Sequence, residues 1–370
     1  MNKPIFLFTN YSNNEIGGME VHQQAFIKYF KYINSNFYIV ILKENIKIYK
    51  NDQYLKDYSS LKNFIDFINE NFEEAIFFFN NLSWIKEIPI LRQSVKINAK
   101  YIIRSGGNDI IRAPYDNDEI PLNERQNIIV EIINKNIDFL IVNSDYSYNR
   151  NIKLGINPKL MKKIRGGVDY DLIHHLILNK SFNRNSFDII NKTSNKKILS
   201  IICRLVDFKG IIQFLDYYAK IKHNNYFLLI AGSGNLSDVI RNKLLNTLSE
   251  QDYLFSGPIP HSKALEIISI SDVVINPSIE VKRYYGKNYY IHTETMGRTM
   301  LEAICCNIPI LASTAGATNE IFAENQNIGL CVSDWNNLEK NLDYLIKVKF
   351  QSKVIDYSWN LVFSKYIEIF

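Results

Sequence analysis

Short apolar runs recur along the chain, separated by longer stretches of mixed polarity with helical spacing. In the first half they are "IFLF" (5–8), "FYIVIL" (37–42), "AIFFF" (75–79), "YIIR" (101–104) and "FLIVNS" (139–144). In the second they are "ILSIICR" (198–204), "YFLLIAGSG" (226–234), "YLFSGPI" (253–259), "DVVINPS" (272–278) and "IPILAS" (308–313). Runs of this length, unbroken by alternation, fit strands buried on both faces. Their alternation with helical segments predicts an α/β protein with parallel sheets, built twice over. Between the halves lies "NKSFNRNSFDIINKTSNKK" (179–197), rich in Asn, Ser and Lys and weak in periodicity, which reads as a linker. The predicted division is therefore 1–178 as one Rossmann-like domain, 179–197 as linker and 198–354 as a second domain. The two are expected to face a cleft, with ligands at the carboxyl ends of the strands.

A length of 370 residues suits two domains of ordinary size. The formal charge of +5 suits phosphate-bearing ligands or an anionic membrane surface, and is too small to suggest nucleic acid. No apolar run approaches the length of a membrane span, and the first run reads as a strand rather than a signal peptide. Cys203, Cys305, Cys306 and Cys331 form no C-x-x-C pair, which argues against a disulfide frame or a zinc site. A cytoplasmic location is the expectation.

Chemistry gathers where strands should end. "ICRLVDFKG" leaves its strand with Arg204, then Lys209 and Gly210; "IAGSGN" follows with Gly232 and Gly234. Glycines there let a backbone approach a ligand, although a plain strand-to-helix turn needs them as well. Further on, "HTETMGRTMLEAICCNIPILA" (292–312) places Glu294 and Glu302 eight positions apart, the second among apolar residues. In one unbroken helix the two would stand about 80° apart and two turns distant. A loop carrying Glu294, followed by a helix that starts near Gly297 and carries Glu302, brings them together more easily. Near the N-terminus, Gly17 and Gly18 precede a helical pattern, offering free N–H groups and a helix dipole to an anion.

The order of these features resembles the retaining GT-B glycosyltransferases of glycosyltransferase family 4, the glycosyl transferases group 1. The resemblance runs through GG and helix at 17–22, "NSDYS" (143–147), "RGGVD" (165–169), R-x4-K-G (204–210), "AGSG" (231–234) and "FSGPIP" (255–260). It continues with E-x7-E (294–302), "GATNE" (316–320) and a last helix, 355–370, that would cross back to the first domain. It implies two Rossmann-like domains, the first on the acceptor side and the second binding a nucleotide-sugar. By this resemblance Arg204 and Lys209 would hold the donor diphosphate and Glu302 the ribose hydroxyls, with Glu294 against the transferred sugar. Thr295, Met296, Gly297 and Arg298 would present backbone N–H groups to sugar and phosphate. The backbone near Ile259 would meet the base, while Gly17, Gly18 and Gly234 would border the donor.

The implied reaction moves a hexose from a nucleoside diphosphate sugar to a glycan or glycolipid acceptor, with retention. No cofactor and no metal are expected, since Arg, Lys and a helix N-terminus can carry the phosphate charge. The expected partners are the donor, a glycan or lipid-linked acceptor and the cytoplasmic face of the membrane. Two D-x-D stretches weigh little against this. Asp116 and Asp118 sit in a Pro-bounded turn, and Asp169 and Asp171 in a structural "GVD" turn.

The chain departs from the family in two places. Where many relatives carry a histidine after the fourth N-terminal strand, it reads "YIIRSGGND", leaving Arg104, Asn108 and Asp109, with His22, as acceptor-side candidates. The stretch 279–293 is longer than usual and rich in Tyr, Lys and Arg, which fits a lid, a headgroup contact or a surface insertion. A non-catalytic partner subunit of the same fold is the alternative reading. A dinucleotide oxidoreductase is disfavoured, because G-x-G-x-x-G does not follow the first strand.

Overall fold

The computed structural model describes residues 3–10, 18–33, 36–114, 120–178, 196–221, 225–348 and 355–370. It divides into two units: Met1–Gly167 with Lys282–Tyr290 and Trp359–Phe370, and Val168–Val281 with Ile291–Ser358. Among the described residues no helix is long and apolar enough to cross a membrane.

The first unit is built on an eight-stranded sheet. Its strands are β1 (Ile5–Thr9), β2 (Phe37–Leu42), β3 (Ile46–Lys50), β4 (Gln53–Tyr58), β5 (Glu74–Phe79), β6 (Asn98–Arg104), β7 (Phe139–Val142) and β8 (Met161–Lys163). The order is β4-β3-β2-β1-β5-β6-β7-β8. From β2 to β8 the neighbours run parallel, while β3 and β4 add an antiparallel edge. The runs in the middle of the sheet are apolar because both faces are covered. Phe6, Phe8, Phe77 and Phe79 face one core; Ile5, Leu7, Phe78 and Ile102 face the other. That second core is closed by helix Gly18–Tyr32 and by helix Trp359–Ile369, which buries Val362, Phe363, Tyr366 and Ile369. Each such side chain stabilises by about 1.5–3 kcal/mol, enough to hold the last helix to the first unit.

The second unit has a six-stranded parallel sheet of β9 (Lys197–Ile202), β10 (Tyr226–Ala231), β11 (Tyr253–Gly257), β12 (Val273–Asn276), β15 (Ile310–Ser313) and β16 (Gly329–Val332). Its order is β11-β10-β9-β12-β15-β16. Two further strands, β13 (Val281–Tyr285) and β14 (Asn288–His292), form a separate hairpin.

Two expectations need correction. The division between units falls at Gly167, not 178, because helix Tyr170–Leu178 packs Ile173 and Leu176 with Leu265, Ile268 and Leu301 of the second unit. The expected linker lies, up to residue 195, outside the described residues. The segment 279–293 is not a loop. Its alternating "VKRYY" and "NYYIH" pair as a hairpin whose turn uses Gly286 at φ +58°, and residues Lys282–Tyr290 belong to the first unit. Tyr290 is buried in that unit's core, and the Arg125 guanidinium lies 4.9 Å from the Tyr285 ring centre. The β3–β4 hairpin, not among the expectations, turns at Asn51 and Asp52, which both take positive φ, the two-residue turn that Asn and Asp favour.

Candidate functional site

The strands β9, β10 and β12 are adjacent and parallel, so the turns after them open on one edge of the second sheet. After β9 the chain passes Arg204 and makes a short 3-10 turn, Asp207–Lys209, ending at Gly210. Gly210 sits at φ +66°, and a Cβ there would stand 2.0 Å from the Pro277 carbonyl oxygen that follows β12. This contact fixes where Lys209 emerges. After β10, Gly232 lies at φ +141°, and a Cβ on it would meet the Cys203 carbonyl at 1.9 Å. Gly234 crowds the Leu205 carbonyl in the same way, at 2.2 Å. The glycines of "AGSG" thus let two strand-end turns close on each other.

Glu294 stands in the loop between β14 and helix Arg298–Cys305, with 9% of its surface exposed. One carboxylate oxygen, Oε2, accepts from the Lys209 ammonium. The other, Oε1, accepts from the backbone N–H of Thr295 at 3.2 Å, Met296 at 3.4 Å and Gly297 at 3.1 Å. Gly297 is left-handed (φ +68°), which turns the loop into the helix and brings these amides together. Burial pushes the Glu294 carboxyl up, but the Lys209 ammonium and the Gly297 and Met296 amides outweigh it and hold the pKa below the ordinary carboxylate value. The loop is pinned from behind by "GATNE". Ala317 donates its N–H to the Glu294 carbonyl at 2.9 Å, and a Cβ on Gly316 would meet that same carbonyl at 1.9 Å.

Glu302 lies on the helix, 3% exposed, among Met300, Leu301, Ala303 and Ile304 of the core. Its Oε1 is 2.7 Å from Nε2 of His261, the first residue of the helix after β11. An apolar helix face tolerates a carboxylate when a polar partner meets it. His261 was missed in the sequence, where it reads only as a helix-start residue after Pro260. Ile259, two residues earlier, is half-buried. Arg204 is exposed, and among the described residues no carboxylate pairs with it. Burial pushes the neighbouring Cys203 thiol up to about 11, so it stays protonated at neutral pH.

The second unit therefore brings Lys209, Glu294 and the amides of Thr295, Met296 and Gly297 into direct contact, with Arg298 opening the helix that carries Glu302. Those amides face the Glu294 carboxylate, whereas the resemblance had them facing a ligand.

The acceptor-side candidates sit in the first unit. Asn108 accepts from Arg150 at 3.2 Å. Asp109 accepts from the Ser105 hydroxyl at 2.5 Å and the Gly106 N–H at 2.9 Å, closing its own turn. His22 is fully buried among Phe26, Phe78, Trp359 and Phe363, with Nε2 3.1 Å from the Tyr366 hydroxyl. Arg104, at the end of β6, is 4% exposed. Gly18 begins its helix, and Gly17 lies outside the described residues, as do Asp116 and Asp118. Asp169 accepts from the Leu172 N–H at 3.2 Å and so caps a helix, a structural task.

No curated protein matches the sequence. Residues 182–358 match the Glycosyl transferases group 1. That glycosyltransferase match contains Arg204, Lys209, His261, Glu294 and Glu302. Solved structures of similar fold extend over the whole chain. One is a glycosyltransferase from Rickettsia africae ESF-5, with TM-score 0.73 and 16% identity, covering 100% of this chain and 97% of that one. Another is Alr3699/HepE from Anabaena in complex with UDP, at 0.68 and 14% identity, covering 99% of each chain. The lipopolysaccharide outer core galactosyltransferase WaaB in its apo form gives 0.61 and 13% identity, over 97% of this chain and 93% of that one. At these identities the likeness speaks for the fold, and the fold is GT-B.

Proposed function

We propose that this protein is a retaining glycosyltransferase that moves a hexose from a nucleoside diphosphate sugar to a glycan or glycolipid acceptor. The observation that carries the reading is the Lys209–Glu294 contact at the edge of the second sheet, held by Gly210, Gly297 and Gly316. The group 1 match over 182–358 supports it, as does a fold shared with an Anabaena protein solved with UDP-glucose. In the reaction the bond between the sugar's anomeric carbon and the diphosphate oxygen breaks. A bond from an acceptor hydroxyl forms on the same face, and the hydroxyl proton passes to the departing phosphate. Negative charge grows on the diphosphate, where Arg204 and Lys209 stabilise it most. Glu294 faces the positive character that develops on the sugar, and Glu302, oriented by His261, holds the ribose.

Charge on the diphosphate is met by side chains in this scheme, so no metal ion is required. The enzyme would act in the cytoplasm or at the cytoplasmic face of the membrane. A panel of UDP-, GDP- and ADP-sugars tests the reading through thermal stabilisation and donor turnover. One donor should stabilise the protein and be consumed with retention, in the presence of EDTA as in its absence. Stabilisation by none of them would overturn the reading, and dependence on added Mn²⁺ would overturn its metal-free form.

A further inference from the structure

Four neighbouring strands of the first sheet, β1, β5, β6 and β7, end in polar residues: Thr9, Asn80, Arg104 and Asn143, none more than 4% exposed. The register places three of them side by side. Phe8 pairs with Phe79, and Phe79 with Ile103, so Thr9, Asn80 and Arg104 follow one another across the sheet. By alternation they share the face of Leu7, Phe78 and Ile102, which is covered by helix Gly18–Tyr32.

Two of these neighbours have their bonding met within the fold. Thr9 donates its hydroxyl to Gln23 at 2.8 Å, and Asn143 accepts from the hydroxyls of Ser144 and Ser147. Arg104 and Asn80 differ. Arg104 Nη1 donates to the Met19 sulfur at 3.1 Å, and the guanidinium lies near enough to the Tyr366 hydroxyl to act on its charge. Among the described residues no carboxylate pairs with it. The nearest acid in sequence, Asp109, has its oxygens engaged by Ser105 and Gly106. Asn80 is fully buried, and among the described residues neither its side-chain amide nitrogen nor its oxygen has a partner. A buried guanidinium always keeps its charge, and a charge without a counter-ion in a dry interior is costly. An unpaired amide beside it adds to that cost. Met19, half-exposed and flexible, lies over the group, and a Cβ on Gly106 would come within 3.1 Å of its sulfur.

We propose that Arg104 and Asn80 form a binding site for an anionic group of the acceptor, a carboxylate or a phosphate, reached when Met19 swings aside. The role of acceptor rests on the glycosyltransferase reading; the anion site itself does not. A carboxylate or phosphate takes two parallel N–H bonds from the guanidinium, and the Asn80 amide donates a third. The acceptor is then an acidic sugar or a phosphorylated one.

The test is thermal stabilisation by inorganic phosphate and, separately, by D-glucuronate, against NaCl at matched ionic strength and neutral glucose, all with UDP present. At least one anion should stabilise the wild type in a saturable way. Glucuronate acting alone points to an acidic sugar, phosphate alone to a phosphorylated acceptor. Arg104→Met should weaken the anion by about thirtyfold or more, the usual loss when one partner of a buried charge pair is removed. Asn80→Asp places a counter-charge beside Arg104, and should both abolish the anion effect and melt at or above the wild type. The proposal is overturned if neither anion stabilises the wild type, or if the effect survives in both variants. UDP stabilisation, read on the same samples, keeps the two ideas apart: if UDP stabilises all three proteins and anions none, the anion site fails and the glycosyltransferase reading stands.

Discussion

The carboxyl edges of the two sheets hold charge in opposite ways. In the second unit each buried carboxylate has a partner, Lys209 for Glu294 and His261 for Glu302, while Arg204 stays exposed. In the first, Arg104 meets a thioether and lies near a phenol, and the Asn80 side chain has no hydrogen-bond partner among the described residues. A paired edge is preorganised: its side chains are already held, and binding costs little further ordering. An edge with unmatched polar groups is satisfied by what binds it. Under the proposed roles, donor groups are recognised by their internal contacts and acceptor groups by contacts the fold does not complete.

Breaking the paired edge should cost the most. Lys209→Ala removes charge stabilisation of the leaving group and should lower turnover at least about a hundredfold, as loss of one preorganised donor does elsewhere. The circular dichroism spectrum should stay native, since the side chain is at a sheet edge. Near-normal turnover would show that the pair is structural only.

Next come the two glutamates. Glu302→Gln keeps one acceptor oxygen and loses the charge, so donor binding should weaken by on the order of 1.5–3 kcal/mol with turnover little changed. Glu294→Gln should lower turnover more than donor affinity, the pattern of an interaction that strengthens in the transition state. Dissociation constants and turnover numbers for both variants decide the matter. A change confined to affinity in Glu294→Gln would place it, like Glu302, on an unreacting part of the donor.

The same residue sharpens the comparison through pH. The folded pKa of Glu294 is depressed, so its contribution is complete above the ordinary carboxylate value and is lost as pH falls through the folded one. The gap in melting temperature between wild type and Glu294→Gln should be widest near neutrality and close as the pH falls from the ordinary carboxylate value through the depressed folded one. A gap that stayed constant in acid would mean that the carboxylate is not held by Lys209 and the amides.

The smallest effect belongs to His261→Ala. If His261 orients Glu302, donor affinity should drop by a few-fold, in keeping with about 1 kcal/mol for one hydrogen bond, and His261→Gln should recover part of it. Equal losses in both variants would make the histidine a packing residue.

Much of this was visible in the chain itself. Both sheets, the loop position of Glu294 and the helix of Glu302 follow from runs of apolar residues and from Gly297, because local pattern and backbone freedom act over a few residues. The hairpins were overlooked although "KNDQ" and "YYGKNYY" carried turn signals, since polar alternation on an edge is weak beside a buried run. The unit boundary was misplaced because helix Tyr170–Leu178 has an apolar face that either unit could bury.

What sequence alone determined is the kind of element at each place and the residue types at the strand ends, for these depend on neighbours along the chain. Tertiary structure decided which of those residues meet. Glu302 and His261 are forty-one positions apart, and Lys209 and Glu294 eighty-five. It also decided that Arg104 and Asn80 meet no acid among the described residues, because a pairing across a sheet edge depends on strand order and register, which no stretch of the chain encodes by itself.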